Sequence, residues 1–207
     1  PVAYTYNSRS GTETEFKDMV RRCNKKGVDI IVDAVINHMA AGSGVSTAGT
    51  TFTSRNFPGT FSPDDFHHNN GDSTKNCEVD DYNDKDNVQL CDLVGLPDLA
   101  TGDSYVQNTI VDYIKQGQEW GVKGIRIDAA KHQDADQLSG ITKQLDMYIV
   151  QEVISGANEA VSPSDYYGLG QVTEFSYADQ VDNAILNHNM ESLSNLGEST
   201  GLMPDEY

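Results

Sequence analysis

Three acidic residues, Asp33, Asp128 and Glu152, each stand at the end of a short segment rich in isoleucine and valine. Such segments are typical of strands buried on both faces of a parallel sheet. Because the carboxyl ends of parallel strands share one edge, we expect the three carboxylates to converge there. Like charges in a low dielectric destabilise each other, so a cluster of three carboxylates is not expected to serve fold stability alone. The pattern favours acid–base or nucleophilic chemistry at this edge.

An arginine accompanies one of these carboxylates. Successive side chains of a strand point to opposite faces, so Arg126 and Asp128 share one face while Ile125 and Ile127 point toward outer helices. A cation and a carboxylate then lie at the carboxyl end of a strand, where barrel enzymes hold their catalytic residues. A simple buried ion pair between Arg126 and Asp128 is the alternative.

The segments that would position these residues repeat in the order helix, Gly-Val, strand. A helix is predicted over residues 12–26, whose first residues Thr-Glu-Thr-Glu have capping-box spacing, and it leads into a strand over 28–35. A second helix over 103–120 leads into a strand over 122–129. This alternation predicts an α/β fold, with a parallel sheet or barrel built from right-handed units.

A third unit follows, with a helix over residues 134–145 and a strand over 148–152, and residues 170–175 could start a fourth strand. Residues 38–100, between the first two units, are polar and show little periodicity. An excursion this long from a strand end is normally functional.

Charge limits the partners that the protein can have. The 207 residues include 32 acidic and 14 basic side chains, a formal net charge of -18, which repels nucleic acid and anionic membrane surfaces. No run of apolar residues is long enough to span a membrane. A neutral or cationic ligand is therefore expected. Because the chain starts at Pro1 without an initiator Met, we interpret it as an excerpt of a longer protein.

Three cysteines allow at most one internal disulfide bond. Cys77 and Cys91 are the expected pair, since closing their short loop would contribute roughly 3 kcal/mol in the chain-entropy model. Cys23 lies on the apolar stripe of the first predicted helix, either as a small buried hydrophobe or as half of a bridge to a cysteine outside this chain. A disulfide bond is consistent with a secreted, extracellular protein.

Several sequence blocks together resemble the animal-type α-amylases, which are glycoside hydrolases. They are Asp-Ala-Val-Ile-Asn-His over residues 33–38, Gly-Ile-Arg-Ile-Asp-Ala-Ala-Lys-His over 124–132, Gln-Glu-Val-Ile over 151–154 and Val-Thr-Glu-Phe over 172–175. The resemblance extends over essentially the whole chain. Four blocks at family spacing are far more specific than a lone short motif.

The resemblance implies a partial (β/α)8 TIM barrel that spans barrel strands three to about six. Residues 1–37 and 99–207 would belong to the catalytic barrel. Residues 38–98 would form an irregular calcium-binding excursion after strand three, the family's domain B. The N- and C-terminal parts of the parent enzyme would lie outside this chain.

The resemblance also implies endo-acting hydrolysis of α-1,4-glucosidic bonds by a retaining double displacement. Asp128 matches the nucleophile and Glu152 the general acid/base, a pair whose carboxyl groups stand roughly 5 to 5.5 Å apart in retaining enzymes. Glu152 then has to be protonated near neutral pH while Asp128 stays ionised, and Arg126 would favour the charged form of Asp128. The family's third catalytic acid belongs to an Asn-His-Asp motif that this sequence does not contain.

Calcium is the first ion that the resemblance implies. The matching ligands are the side chains of Asn37 and Asp98 and the backbone carbonyls of Gln89 and His132, all of them hard oxygen donors. The acidic run over residues 80–86 lacks the glycine and the spacing of an EF-hand, so we interpret it as a solvated acidic face.

Chloride is the second implied ion, held by Arg126 together with ligands that lie beyond Tyr207. An anion there would disfavour a second negative charge on Glu152 and extend acid catalysis toward neutral pH. The alternative is that Arg126 is only a structural partner of Asp128.

Residues that match substrate-binding positions of the family are Asp33, His38, Lys131 and His132, with Tyr82 as a platform for a pyranose ring. The expected partners are starch, glycogen and malto-oligosaccharides, bound by a secreted monomer. A catalytically silent relative that binds glucan or calcium is the rival hypothesis, although this chain keeps both visible catalytic carboxylates. Two further histidines, His67 and His68, match no family site; we expect them on a surface loop, with a zinc site as the alternative.

Overall fold

The computed structural model describes residues 1–68, 77–156, 158–197 and 202 of the chain. The α-helices are α1 (Glu13–Asn24), α2 (Lys85–Leu90), α3 (Ser104–Glu119), α4 (Ala135–Thr142) and α5 (Ser176–Leu186). The strands are β1 (Ile31–Ala34), β2 (Gly44–Val45), β3 (Thr51–Phe52), β4 (Gly124–Ile127), β5 (Tyr148–Gln151) and β6 (Gln171–Val172). None of the helices in these residues is long and apolar enough to cross a membrane.

Four strands form one parallel sheet in the order β1, β4, β5, β6. The register pairs Asp33 with Arg126 and Arg126 with Val150, so equivalent positions of neighbouring strands lie side by side. The connection from β1 to β4 contains α3, and the connection from β4 to β5 contains α4, as parallel strands require a crossover. The predicted α/β fold is confirmed, with strands shorter than the apolar runs from which they were predicted.

The first helix begins as the sequence predicts. The Thr12 hydroxyl accepts a hydrogen bond from the Glu15 backbone N–H at 3.3 Å, and Glu15 Oε2 accepts one from the Thr12 N–H at 2.8 Å. Gly27 and Gly121 follow α1 and α3 with φ of 73° and 103°, a backbone region that glycine enters at no steric cost. These glycines let the chain reverse from each helix toward the sheet.

The core lies between the sheet and its helices. Its buried side chains include Ile125 and Ile127 of β4, Val106 and Ile110 of α3, and Leu138 and Ile141 of α4. Arg126 and Asp128 are only partly buried. This alternation confirms that the isoleucines of β4 face the helices while the arginine and the aspartate share the other face.

The stretch after β1 is largely irregular, as predicted for the excursion. It contains the short antiparallel pair β2–β3 and the helix α2, which was not predicted because it has only six residues and starts inside the acidic run. Asp84 caps α2 through hydrogen bonds to backbone N–H groups. The predicted disulfide bond joins Cys77 to Cys91, directly after α2, whereas Cys23 keeps a free thiol on α1.

Candidate active site

Carboxylates from three neighbouring strand ends converge on one guanidinium. Arg126 Nη1 donates to Asp33 Oδ1 at 2.5 Å and to Asp128 Oδ1 at 3.1 Å, and its Nη2 donates to Glu152 Oε1 at 2.7 Å. The parallel register causes this convergence, because it places the carboxyl ends of β1, β4 and β5 at one edge. The Arg126–Asp128 pair that the sequence left as an alternative exists, but only as one part of a larger cluster.

The pKa of Asp128 reflects two opposing effects, burial and the neighbouring guanidinium. Burial raises the pKa of Asp128 above its ordinary value, the hydrogen bond from Arg126 lowers it, and the charges of Asp33 and Glu152 raise it again. Arg126 therefore favours the charged form of Asp128, as predicted, but burial outweighs it and the net shift of the pKa is upward. Burial prevails because the guanidinium divides its attraction among three carboxylates.

Glu152 accepts a hydrogen bond at each of its oxygens. Arg126 donates to Oε1, and the Ala129 backbone N–H donates to Oε2 at 3.0 Å. Ala129 has a left-handed backbone with φ of 50°, which is uncommon for a residue with a Cβ. This turn directly after β4 directs its N–H at the end of β5. Strained backbone of this kind clusters at functional sites.

Glu152 also lines a cleft of about 310 Å³, a volume at the lower end of small-molecule sites. The cleft lies where three parts of the chain meet: the excursion, the turn after β4 and the segment after β5. The side chains that line it with Glu152 are those of Tyr82, Leu93, Lys131, His132, Ile154 and Glu159. Three of the predicted substrate residues therefore surround the predicted general acid.

Lys131 links the walls of this cleft. Its almost fully buried ammonium group forms an ion pair with Glu159 and donates to the Ile154 carbonyl at 2.8 Å. It also lies 4.4 Å from the centre of the Tyr82 ring, a cation–π contact that covers part of the predicted platform. Glu159 was not predicted, since it lies outside the matching blocks and in a loop without a recognisable motif.

Two buried histidines flank these groups in defined tautomers. Burial lowers the pKa of both, that of His38 to about 4. The Val88 carbonyl can only accept, so His132 Nδ1 donates to it at 2.9 Å and Nε2 is left as an acceptor. His38 Nδ1 lies 3.3 Å from the Asn37 amide nitrogen, which can only donate, so the proton of His38 is on Nε2.

Two of the predicted calcium ligands each have an oxygen without a hydrogen-bond donor. Asn37 Oδ1 and Asp98 Oδ1 are buried, and no described protein group bonds to either atom. The two residues are neighbours in space, because the Leu99 N–H donates to the Asn37 carbonyl at 2.9 Å. Burial raises the pKa of Asp98 to about 7. His67 and Arg55 lower this pKa, but burial outweighs them.

The other two predicted ligands come from segments in contact, since α2 packs against the turn Ala130–His132. The side chain of Gln89 is buried and donates to Tyr166 Oη at 2.9 Å and to the Gln133 carbonyl at 3.3 Å. These bonds tie α2 to the segment after the turn, and the backbone carbonyl of Gln89 stays the predicted ligand group.

The neighbouring histidines His67 and His68 differ in environment. His68 is exposed, whereas His67 is mostly buried and its Nδ1 lies 2.6 Å from Asp98 Oδ2, so the surface-loop prediction is wrong for His67. Among the described residues, one group of three side chains lies close enough together to hold a metal: His68, Cys77 and Cys91. Because the two sulfurs form the disulfide bond, they are not available as thiolate ligands.

Comparison with known proteins gives a consistent match. The family described as the alpha-amylase catalytic domain matches residues 4–201. An alpha-amylase of Streptomyces violaceus is 42% identical over 99% of this chain and 35% of its own length, and one of Tenebrio molitor is 41% identical over 98% of this chain and 45% of its own. A variant of alpha-amylase I from Eisenia fetida, crystallised with maltohexaose, is 38% identical over 98% of this chain and 45% of its own, with a TM-score of 0.91. The chain thus spans less than half the length of these relatives.

Proposed function

We propose that this chain, which belongs to the alpha-amylase catalytic-domain family, carries the central part of an enzyme that hydrolyses α-1,4-glucosidic bonds within starch and glycogen. The observation that supports this most is the cluster of Asp33, Asp128 and Glu152 around Arg126, with Glu152 opening onto the cleft. Membership of the family establishes the fold, whereas the reaction has to be argued from the residues of the site.

In the first step, a carboxylate oxygen of Asp128 attacks the anomeric carbon of the bound glucose unit. The bond from that carbon to the glycosidic oxygen breaks, and the oxygen takes its proton from Glu152. Arg126 and the Ala129 N–H orient Glu152 during this transfer, because a protonated carboxyl group can still accept hydrogen bonds while its hydroxyl donates.

In the second step, Glu152 is ionised and removes a proton from water. The water oxygen attacks the anomeric carbon, and its bond to Asp128 breaks to regenerate the carboxylate. Two displacements at the same carbon retain its configuration. Asp128 has to be ionised at the start, so the upward shift of its pKa sets an acid limit on turnover.

The cleft residues would bind the hydroxyl groups of the sugar. A neutral His132 offers Nε2 as an acceptor, while His38 offers Nε2–H as a donor. Lys131 uses two of its donors on protein groups and keeps a third for a ligand hydroxyl. Tyr82 is 37% exposed and can stack on a pyranose ring with the part of its face that Lys131 leaves open.

Calcium fits the residues around Asn37 and Asp98. Their two unpartnered buried oxygens and the raised pKa of Asp98 are the features expected of protein ligands to a hard cation. The carbonyls of Gln89 and His132 would complete the protein ligands. When bound, the ion would supply positive charge that ties the excursion to the turn carrying Lys131 and His132.

Chloride fits the described residues less well. Arg126 already donates to three carboxylates, and none of the other Lys and Arg side chains in the described part of the chain pairs with them. A site at Arg126 would therefore need further donors from the rest of the protein. Removal of chloride, followed by a pH profile of starch hydrolysis, tests whether Arg126 holds the ion. A profile that does not depend on chloride would leave Arg126 as a structural partner only.

The proposed substrates are starch, glycogen and malto-oligosaccharides. The Eisenia fetida enzyme variant with maltohexaose supports this class of ligand, and the net charge of -18 argues against nucleic acid and anionic lipid. We further propose a secreted monomer, for which the Cys77–Cys91 disulfide bond is the supporting observation on secretion. The competing hypothesis is a catalytically silent protein that binds glucan, and measured hydrolysis of glucan distinguishes the two.

The test is starch hydrolysis by the complete protein and three of its variants. Glu152→Gln and Asp128→Asn should each lower the rate by at least about 10²-fold, the lower range for loss of an acid–base group. Asp182→Asn, an exposed aspartate on α5, is the matched control and should keep the wild-type rate. A wild-type protein that binds glucan without releasing reducing ends would support the silent relative instead.

A further inference from the structure

We infer that His67 is a positioning residue that holds the carboxylate of Asp98 with Oδ1 directed at the proposed calcium site. The inference rests on that proposed site. His67 contacts Asp98 twice: its Nδ1 lies 2.6 Å from Asp98 Oδ2, and its backbone N–H donates to the Asp98 carbonyl at 3.0 Å. A backbone and a side-chain contact to one partner fix that partner in both translation and rotation.

The orientation of Asp98 follows from these contacts. Its Oδ2 is held by His67, so the other carboxylate oxygen, Oδ1, points elsewhere and is buried without a described protein partner. Asn37 Oδ1 is likewise buried without a described protein partner. Asn37 lies beside Asp98 along the chain fold, because the N–H of Leu99, the residue after Asp98, donates to the Asn37 carbonyl. Buried polar atoms are nearly always bonded, so two unpartnered oxygens in adjacent segments indicate a shared cation.

A second group, the buried Asp92–Arg55 pair, fixes the backbone of Asp98 at its N–H. Its N–H donates to Asp92 Oδ1 at 3.0 Å, and the carboxylate of Asp92 accepts from Arg55 Nη2 at 2.7 and 2.9 Å. Both side chains of this pair are buried. The N–H, the carbonyl and one carboxylate oxygen of Asp98 are thus all engaged, which leaves Oδ1 as the free ligand.

The imidazole matters because a carboxylate that is already oriented does not have to be ordered when the ion binds. Partners that orient metal ligands in this way are typically worth about 10- to 100-fold in metal affinity. The amide of asparagine can place its Nδ2 near the position of the histidine Nδ1, whereas alanine offers no donor. His67→Ala should therefore weaken calcium binding and His67→Asn should restore most of it.

The experiment measures calcium affinity of the complete protein by competition with a chromophoric chelator. We expect His67→Ala to bind calcium about 10- to 100-fold more weakly than wild type, His67→Asn to lie close to wild type, and His68→Ala, the exposed neighbour, to match it. Thermal unfolding separates this role from a structural one. In excess chelator His67→Ala should unfold close to wild type, and the two should diverge when calcium is added.

Two results would overturn the inference in distinguishable ways. If wild-type protein binds no calcium, the proposed calcium site fails and the inference fails with it. If wild type binds calcium and His67→Ala binds it equally well, or loses the same stability with and without calcium, the site stands and His67 is only a packing residue.

Discussion

Arg126 and Glu152 are joined across neighbouring strands, with Nη2 of the arginine 2.7 Å from Oε1 of the glutamate. The same guanidinium reaches Asp33 and Asp128 through Nη1. A planar fork with several fixed donors can span carboxylates on three strands, whereas a lysine ammonium is a compact point charge. Arg126 therefore sets the mutual placement of the proposed acid and the proposed nucleophile.

Replacement of Arg126 by lysine should lower kcat/KM for starch while the protein stays folded. A hydrogen bond to a charged group is worth roughly 1.5–3 kcal/mol, which corresponds to about a 10- to 100-fold loss. Arg22→Lys is the control, because Arg22 pairs with Asp18 on an exposed face of α1. Wild-type kinetics in Arg126→Lys would show that charge alone, without the fork, is sufficient.

Asp128→Asn should stabilise the fold at neutral pH. The pKa of Asp128 is raised in the folded state, first by burial, so the folded protein holds this proton at a higher pH than the unfolded chain. The stability from Asp128 is then fully present below its unfolded pKa of about 4 and is lost as pH rises through the folded pKa. A neutral asparagine removes that loss.

Urea unfolding of wild type and Asp128→Asn at a series of pH values measures the effect. The variant should be the more stable near pH 7, and its advantage should shrink toward about pH 4. Asp182→Asn, exposed on α5, should show no such trend. An asparagine variant that is less stable at neutral pH would mean that the Arg126 contact outweighs burial.

Removal of the disulfide bond should destabilise the excursion and its contact with the barrel. The bond closes a loop of sequence separation 14, for which the chain-entropy model gives roughly 3 kcal/mol. A Cys77→Ser, Cys91→Ser double variant is therefore expected to lose about 2–4 kcal/mol of unfolding free energy. Cys23→Ser, which removes only the free thiol, serves as the control, and an equal loss in both proteins would argue against the loop-closure account.

Periodicity and capping signals predicted the barrel part because its elements are determined locally. The capping box of α1 and the alternation of Ile125, Arg126 and Ile127 are both readable within a few residues. The strand-end position of Asp33, Asp128 and Glu152 then follows from topology alone, which is why their convergence could be predicted before any distance was known.

Features that depend on distant partners were missed. Arg55 and Asp92 are 37 residues apart and Lys131 and Glu159 are 28 apart, with no motif to connect either pair. His67 resembled a loop histidine because its partner Asp98 is 31 residues away. The net upward shift of the Asp128 pKa was missed for a related reason, since strand parity shows that Arg126 is near but not how strongly burial disfavours the charged carboxylate.

The division of labour between Asp128 and Glu152 is tested most directly by fluoride release from α-maltosyl fluoride in the first turnover of the complete protein. Fluoride departs without a proton, so Glu152→Gln should release it in a rapid burst although its starch hydrolysis falls by about 10²–10⁴-fold. Asp128→Asn should release none, because no glycosyl–enzyme bond can form. A burst from Asp128→Asn, or its absence from Glu152→Gln while wild type shows one, would contradict the assignment of nucleophile and acid.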